Sequence, residues 1–265
     1  MSMTFDQYIT NPLGKNNAVL SAITREGIRK NYSERFDNIL LRENGKINYY
    51  LYKTKDNQFI IHIKIPSEPV KNFYYDVVLK FHADESITNA GNVLSNYYFQ
   101  AFSNDPAFVY THAYVFKQHD LFIKLLSDKM GKKPLTKEPE VKNPDKQLAY
   151  VKSIYFAYLF MKNRGLFKKI SWSAAEDFKE HKQEFLDRIM PVDKKIALRE
   201  EEEKKLDHRK KILVDNQTAK QLSHIKNLSD EAKSRLITTT KKTPKVKRTK
   251  AVNLIKKSNV IGKKI

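Results

Sequence analysis

The chain has 265 residues and a formal net charge of +20, with 50 Lys/Arg against 30 Asp/Glu and no cysteine. That length supports a sizeable core in one large domain or two small ones. The missing thiols exclude disulfides and cysteine-based zinc sites and fit a reducing compartment.

The start, Met1-Ser2-Met3-Thr4-Phe5-Asp6, has no basic region followed by an apolar run, so no signal peptide is expected. No stretch reaches the roughly 18 apolar residues of a membrane span; the richest apolar window, Ile154–Met161, is far shorter.

Residues 1–38 read as an N-terminal arm. Asn11-Pro12-Leu13-Gly14 is dense in turn formers. Val19–Phe36 suits one or two helical turns, with Gly27 weighing against a single helix. A globular domain is expected over 39–190. Its first half is rich in strand formers: Ile39-Leu40-Leu41, then Ile47–Tyr52, Phe59–Ile65 and Phe73–Phe81. Asn44-Gly45 supplies the positive φ that a tight hairpin needs. Ile61, Ile63 and Ile65 alternate with His62 and Lys64, the pattern of a half-buried strand with one wet face. A further short strand is expected at Tyr97–Phe102.

The period then changes. Asp105-Pro106 and Asn143-Pro144 each put a capping residue before a proline, the signature of a helix start. They predict helices over Pro106–Gln118, with a continuation through Asp120–Met130, and over Pro144–Asn163. Ser173 reads as the cap of a third helix, Ala174–Met190, with Trp172 packing in front of it. A long charged helix follows over 191–228, supported by Glu200→Lys204 and Glu201→Lys205 pairs at i,i+4. Its apolar residues are too sparse for a coiled-coil seam. Residues 229–265 lose periodicity and form a basic tail. The expected fold is α+β: an antiparallel meander of about four strands packed by helices, then the charged helix and a basic tail of disordered type.

The charge is lopsided. Residues 1–140 carry 18 basic against 15 acidic side chains, and residues 141–265 carry 32 against 15. The last 25 residues hold ten basic side chains and no acidic one: Lys241, Lys242, Lys245, Lys247, Arg248, Lys250, Lys256, Lys257, Lys263 and Lys264. Lysine neutralises phosphates without reading bases, so this segment is the candidate nucleic-acid-binding site, non-specific and steeply salt-dependent. An acidic protein, an anionic lipid surface or mere solubility would also accommodate such a run. Val252, Leu254, Ile255, Val260 and Ile261 among the lysines would suit docking on a partner surface.

Enzymatic chemistry finds less purchase. Tyr49, Tyr50, Tyr52, Tyr74 and Tyr75 lie on candidate strands beside lysines and could stack bases, but core packing explains them as well. His112 and His119 could share a helix face beside Asp120, yet no H-E-x-x-H or H-x-E spacing occurs, and no metal or cofactor is expected. A metal-dependent nuclease needs clustered carboxylates. The strand His62-Ile63-Lys64 lacks an acid where such sites carry one, and Asp56 and Asp76 have no supporting spacing. There is no phosphate-cradling glycine loop, and glycines number only seven.

Four strings together carry a resemblance: Asn11–Asn16, Phe73–Val78, Phe102–Phe108 and Tyr150–Tyr158. They resemble a group of tailed-bacteriophage proteins that share their N-terminal three-fifths and end in variable Lys-rich tails. The resemblance spans roughly residues 4–170 and implies a phage setting, in the virion or the host cytoplasm. The expected function is a non-enzymatic virion component that docks onto other assembly proteins and contacts DNA through its tail, with no membrane partner. A regulator binding nucleic acid through the folded domain is the alternative, and a nuclease the third reading.

Overall fold

The computed structural model describes residues 3–10, 22–82, 93–139, 143, 146 and 148–226. The chain divides into two compact units, residues 1–204 and 205–265.

The described residues of the expected arm, 3–10 and 22–38, contribute to the core through Phe5, Tyr8, Ile9 and Phe36. Helix α1, Phe5–Thr10, starts with a reciprocal cap: Thr4 N–H donates to Gln7 Oε1 at 2.9 Å, and Gln7 N–H donates to Thr4 Oγ1 at 3.2 Å. Phe5, Tyr8 and Ile9 are buried. Helix α2, Ala22–Arg42, runs through Gly27 for 21 residues, because burial of Phe36 and Ile39 outweighs a penalty of about 1 kcal/mol for one glycine. Ile39-Leu40-Leu41, expected as a strand, is its last turn. Asn44 (φ 51°) and Gly45 (φ 70°) end the helix, with Gly45 N–H donating to Leu40 O at 2.7 Å. The same left-handed backbone serves a hairpin or a helix stop, and here it is the stop.

The sheet follows. Strands β1 (Tyr49–Lys53), β2 (Phe59–Pro66), β3 (Tyr74–His82) and β4 (Tyr98–Ser103) form an antiparallel meander. The outer edge of β4 is taken up at both ends. Phe99 N–H donates to Met3 O, and Ala101 exchanges hydrogen bonds with Leu121 and Ile123.

Asp105 caps α3 (Pro106–Thr111) as its spacing predicts, accepting from Ala107 N–H at 3.1 Å. The expected single helix breaks at the buried His112, and α4 covers Ala113–Gln118. Two short helices, α5 (Ser127–Met130) and α6 (Lys132–Thr136), follow. The Asn143 Nδ2 donates to Thr111 O at 3.2 Å. The central helix α7 starts only at Lys152 and ends at Asn163. Residues 148–151 stay non-helical because α1 holds them. The Tyr8 hydroxyl donates to Ala149 O and accepts from Val151 N–H, both at 3.0 Å, and the Tyr150 hydroxyl donates to Ile9 O at 2.9 Å. Burial pushes the Tyr8 hydroxyl pKa far up, so it remains a donor.

Trp172 is buried, its Nε1–H donating to Leu166 O at 2.7 Å. The helix expected over 174–190 does not form there. Glu176–Asp177 instead makes a two-residue strand β5, parallel to β1 at Tyr52 and Lys53, and α8 covers only Lys182–Arg188. The sheet order is β4-β3-β2-β1-β5. The charged helix α9 spans Val192–Lys226, with an Arg199–Glu203 ion pair at 2.9 Å on its first turns. In the second unit the described residues, 205–226, are helical throughout.

The two faces of the sheet differ. Directly paired residues share a face, so Phe59, Ile61, Ile63 and Ile65 stand with Val77, Leu79 and Phe81, and with Phe99 and Ala101. This apolar face packs on α1 and α7, with Phe5 at 5.4 Å from Phe81 and 4.8 Å from Phe99, and Phe160 at 5.2 Å from Tyr49. The opposite face carries Tyr50, Tyr52, His62, Lys64, Asp76, Lys80 and Gln100. It was expected to be wet. Much of it is covered: α8 places Phe185 5.3 Å from Tyr52 and 6.4 Å from His62, and His62 is wholly buried.

Candidate functional site on the polar face of the sheet

The polar face holds two different arrangements. At one end lies a hydrogen-bonded network. His62 Nε2–H donates to Asp76 Oδ1 at 2.9 Å, and Asn104 Nδ2 donates to Asp76 Oδ2 at 2.7 Å. Asn104 Oδ1 accepts from Asp76 N–H at 2.8 Å, and Met190 N–H adds a 3.3 Å bond to Asp76 Oδ2. Asn104 Nδ2 also donates to Met190 O. The network therefore ties β2, β3 and the end of β4 to the residue just ahead of α9. Burial pushes the Asp76 carboxyl up, but the hydrogen bonds from His62 and Asn104 and the charges of His62 and Lys195 outweigh it and hold the pKa below the usual carboxylate range. Lys195, on the first turn of α9, lies 4.6 Å over the Phe73 ring. Its burial pulls the ammonium pKa down, partly offset by Asp76. This geometry suits a structural clasp. A buried carboxylate with every oxygen occupied offers no coordination position to a metal or substrate.

At the other end lies a cavity of about 270 Å³. Its floor is Lys80, near the C-terminal end of β3, between Ile60 on β2 and Gln100 on β4. Its walls include Phe178 and Phe185, a T-shaped ring pair 5.3 Å apart, with Thr54 and Gln58 at the β1–β2 turn. Burial lowers the Lys80 pKa from the ordinary lysine value.

Next to the cavity, ligand atoms of Glu176, His181 and Glu184 lie within 4.8 Å of one another. The Arg188 guanidinium already engages that cluster, bonding Glu184 and standing 4.0 Å from Glu176 while it stacks 4.0 Å over Tyr50 and donates to the Tyr52 hydroxyl. A cation would have to displace it.

A third charged group clamps the β2–β3 link. Glu68 receives Arg35 through both carboxylate oxygens, at 2.5 and 2.7 Å, and Lys152 at 2.6 Å, while Arg42 donates to the carbonyls of Ser67 and Glu68. The bidentate guanidinium and the ammonium hold the Glu68 pKa down against burial.

The basic residues singled out in the tail, Lys241, Lys242, Lys245, Lys247, Arg248, Lys250, Lys256, Lys257, Lys263 and Lys264, lie outside the described residues. A second basic stretch was overlooked: residues 146–175 contain six Lys/Arg and no acid. Lys146 and Lys152 are ion-paired, whereas Lys162, Arg164 and Lys168 stand exposed beside Ile170, itself 80% exposed. The tyrosines divide as packing requires. Tyr52 and Tyr75 are buried, Tyr49 packs on Phe160, and Tyr50 lies between His62 and Arg188. Asp56 is exposed in the β1–β2 turn.

No helix among the described residues is long and apolar enough to cross a membrane. No family model, curated protein or solved structure matches the chain.

Proposed function

We propose that the protein is a non-enzymatic, nucleic-acid-associated structural component of a larger assembly. Its folded unit would dock on protein neighbours, and its basic tail would run along phosphates without reading sequence. The reading is carried by the charge distribution. Residues 227–265 hold 12 basic side chains against two acidic ones, while many charges of the folded unit are neutralised within it, by Glu68, Glu138, Glu184 and Glu203 among others. Lys162, Arg164 and Lys168 add an exposed basic corner on the folded unit. The resemblance to tailed-phage proteins makes DNA the polyanion and the virion the assembly to search.

The test compares the full chain with one ending at Thr240 for binding to a mixed-sequence duplex. Ten engaged tail cations would give a slope of about −9 in log K against log salt between roughly 50 and 200 mM. The expected result is that slope, little sequence preference, and loss of most affinity on truncation. Unchanged affinity after truncation would overturn the tail's role, and a strong sequence preference would favour a regulator acting through the folded unit.

A further inference from the structure

Lys80 is an unusual residue for a strand paired on both sides. Among the described residues no carboxylate pairs with it, and the one influence on its pKa is desolvation. A half-buried ammonium without a counter-charge is costly, and a neutral strand former at the same position would avoid that cost. The cost is offset when an anion enters. The cavity above Lys80 is built for one. None of its lining residues is acidic, and a second cation, the exposed Lys124, stands on the lining, its ammonium 4.0 Å from Asp120 outside it.

The remaining walls define the rest of the ligand. Phe178, Phe185 and Ile123 supply an apolar slot, and rings prefer the offset or edge contacts that such a pair offers. The Gln100 amide is fixed by its Nε2–H, which donates to Asp120 O at 3.2 Å, leaving Oε1 for a ligand donor. The Thr54 hydroxyl accepts from Gln58 N–H at 3.2 Å and retains its own proton to donate. A volume of about 270 Å³ lies just under the roughly 300–1,000 Å³ of drug-sized sites, so the ligand is small.

We propose that this cavity binds a small organic anion, one carboxylate or phosphate group on a body the size of a single ring, with Lys80 as its counter-charge. The site is independent of the tail and goes beyond the structural role proposed above.

The test is calorimetric titration of the full chain with benzoate and with phenyl phosphate, which separate the two head groups. Benzyl alcohol, with a ring and no charge, and inorganic phosphate, with charge and no ring, are the controls. Inorganic phosphate also measures the background taken by tail lysines. At least one ring-bearing anion is expected to bind with Kd of about 1 mM or tighter, and at least about tenfold tighter than either control. Lys80→Met and Lys80→Gln should each weaken it about tenfold or more while leaving Tm no lower than that of the parent, since both remove a poorly solvated charge. Both variants keep the tail intact, so duplex binding should persist in them, which separates failure here from failure of the tail proposal. Absence of saturable binding by either anion up to about 10 mM, or unchanged binding in both variants, overturns the site.

Discussion

The two faces of one sheet solve the burial problem in opposite ways. On the apolar face, Ile61, Ile63, Val77, Leu79 and Phe81 are fully enclosed by helices and need nothing but shape. On the polar face, His62, Asp76 and Asn104 are enclosed just as tightly, and each is kept there by specific partners. Lys80 departs from that pattern: among the described residues no carboxylate pairs with it, and it faces a cavity. The difference teaches that a covered polar face is a set of individual bargains, so an unpaired charge lining a cavity on it is informative where an unpaired leucine would not be.

The sharpest way to break the comparison is to remove one group from each face. Asp76→Ala strands the His62 Nε2–H, the Asn104 Nδ2 and the Met190 N–H, and should cost about 3–5 kcal/mol. Ile63→Ala leaves a void and should cost about 2–5 kcal/mol. The two separate with pH. The Asp76 carboxyl is held below its usual value in the folded state. Its stabilisation is therefore complete above the unfolded value of about 4 and lost as pH falls further, through the folded value. Urea melts at several pH values should show a steeper loss in the parent and in Ile63→Ala than in Asp76→Ala, where the lowered Glu68 carboxyl leaves a residual slope. An Asp76→Ala cost under about 1 kcal/mol would mean that the network is not what holds Met190 and α9 to the sheet.

A smaller effect comes from His112, buried at the α3–α4 break. Burial lowers its pKa from the ordinary 6.5 to about 4. Between those values the unfolded chain takes up a proton that the folded chain refuses, so stability falls by roughly 3 kcal/mol as pH drops from 6.5 to 4. His112→Leu should flatten that segment of the pH–stability curve; an unchanged slope would place the titration elsewhere.

The smallest effect is expected at Lys195. It borders both the Asp76 network and the Phe73 ring, and it keeps partial contact with water. Lys195→Met preserves the packing and removes only a screened charge, so denaturant midpoints should move by less than about 1 kcal/mol. A cost above about 2 kcal/mol would make Lys195 a full member of the clasp.

Much of this was legible beforehand. The alternation of Ile61, Ile63 and Ile65 with His62 and Lys64 separated the two faces, and Asp105-Pro106 marked a helix start that the structure bears out. What covers the polar face was not legible, because Phe185 and Met190 reach it from more than 100 residues away and no local pattern announces such a contact. Asn143-Pro144 carried the same local signal as Asp105-Pro106, yet residues 148–151 are non-helical, since Tyr8 and Ile9 of α1 hold that backbone and Tyr150, and the helix begins at Lys152. The Thr4-x-x-Gln7 cap was readable and was overlooked in favour of an arm. Lys80 looked like any strand lysine; only the register that sets it between Ile60 and Gln100, under the cavity, distinguishes it.

The occupied outer edge of β4 has a consequence for assembly. A bare edge strand is a template on which another chain can lay down its own strand, the commonest route by which sheets recruit peptides or fuse into larger sheets. Here Met3 ahead of α1 and the Leu121–Ile123 segment already fill those backbone positions. A neighbour arriving at this side of the sheet must therefore be recognised through side chains, which are sequence-specific, and not through main-chain pairing, which is not.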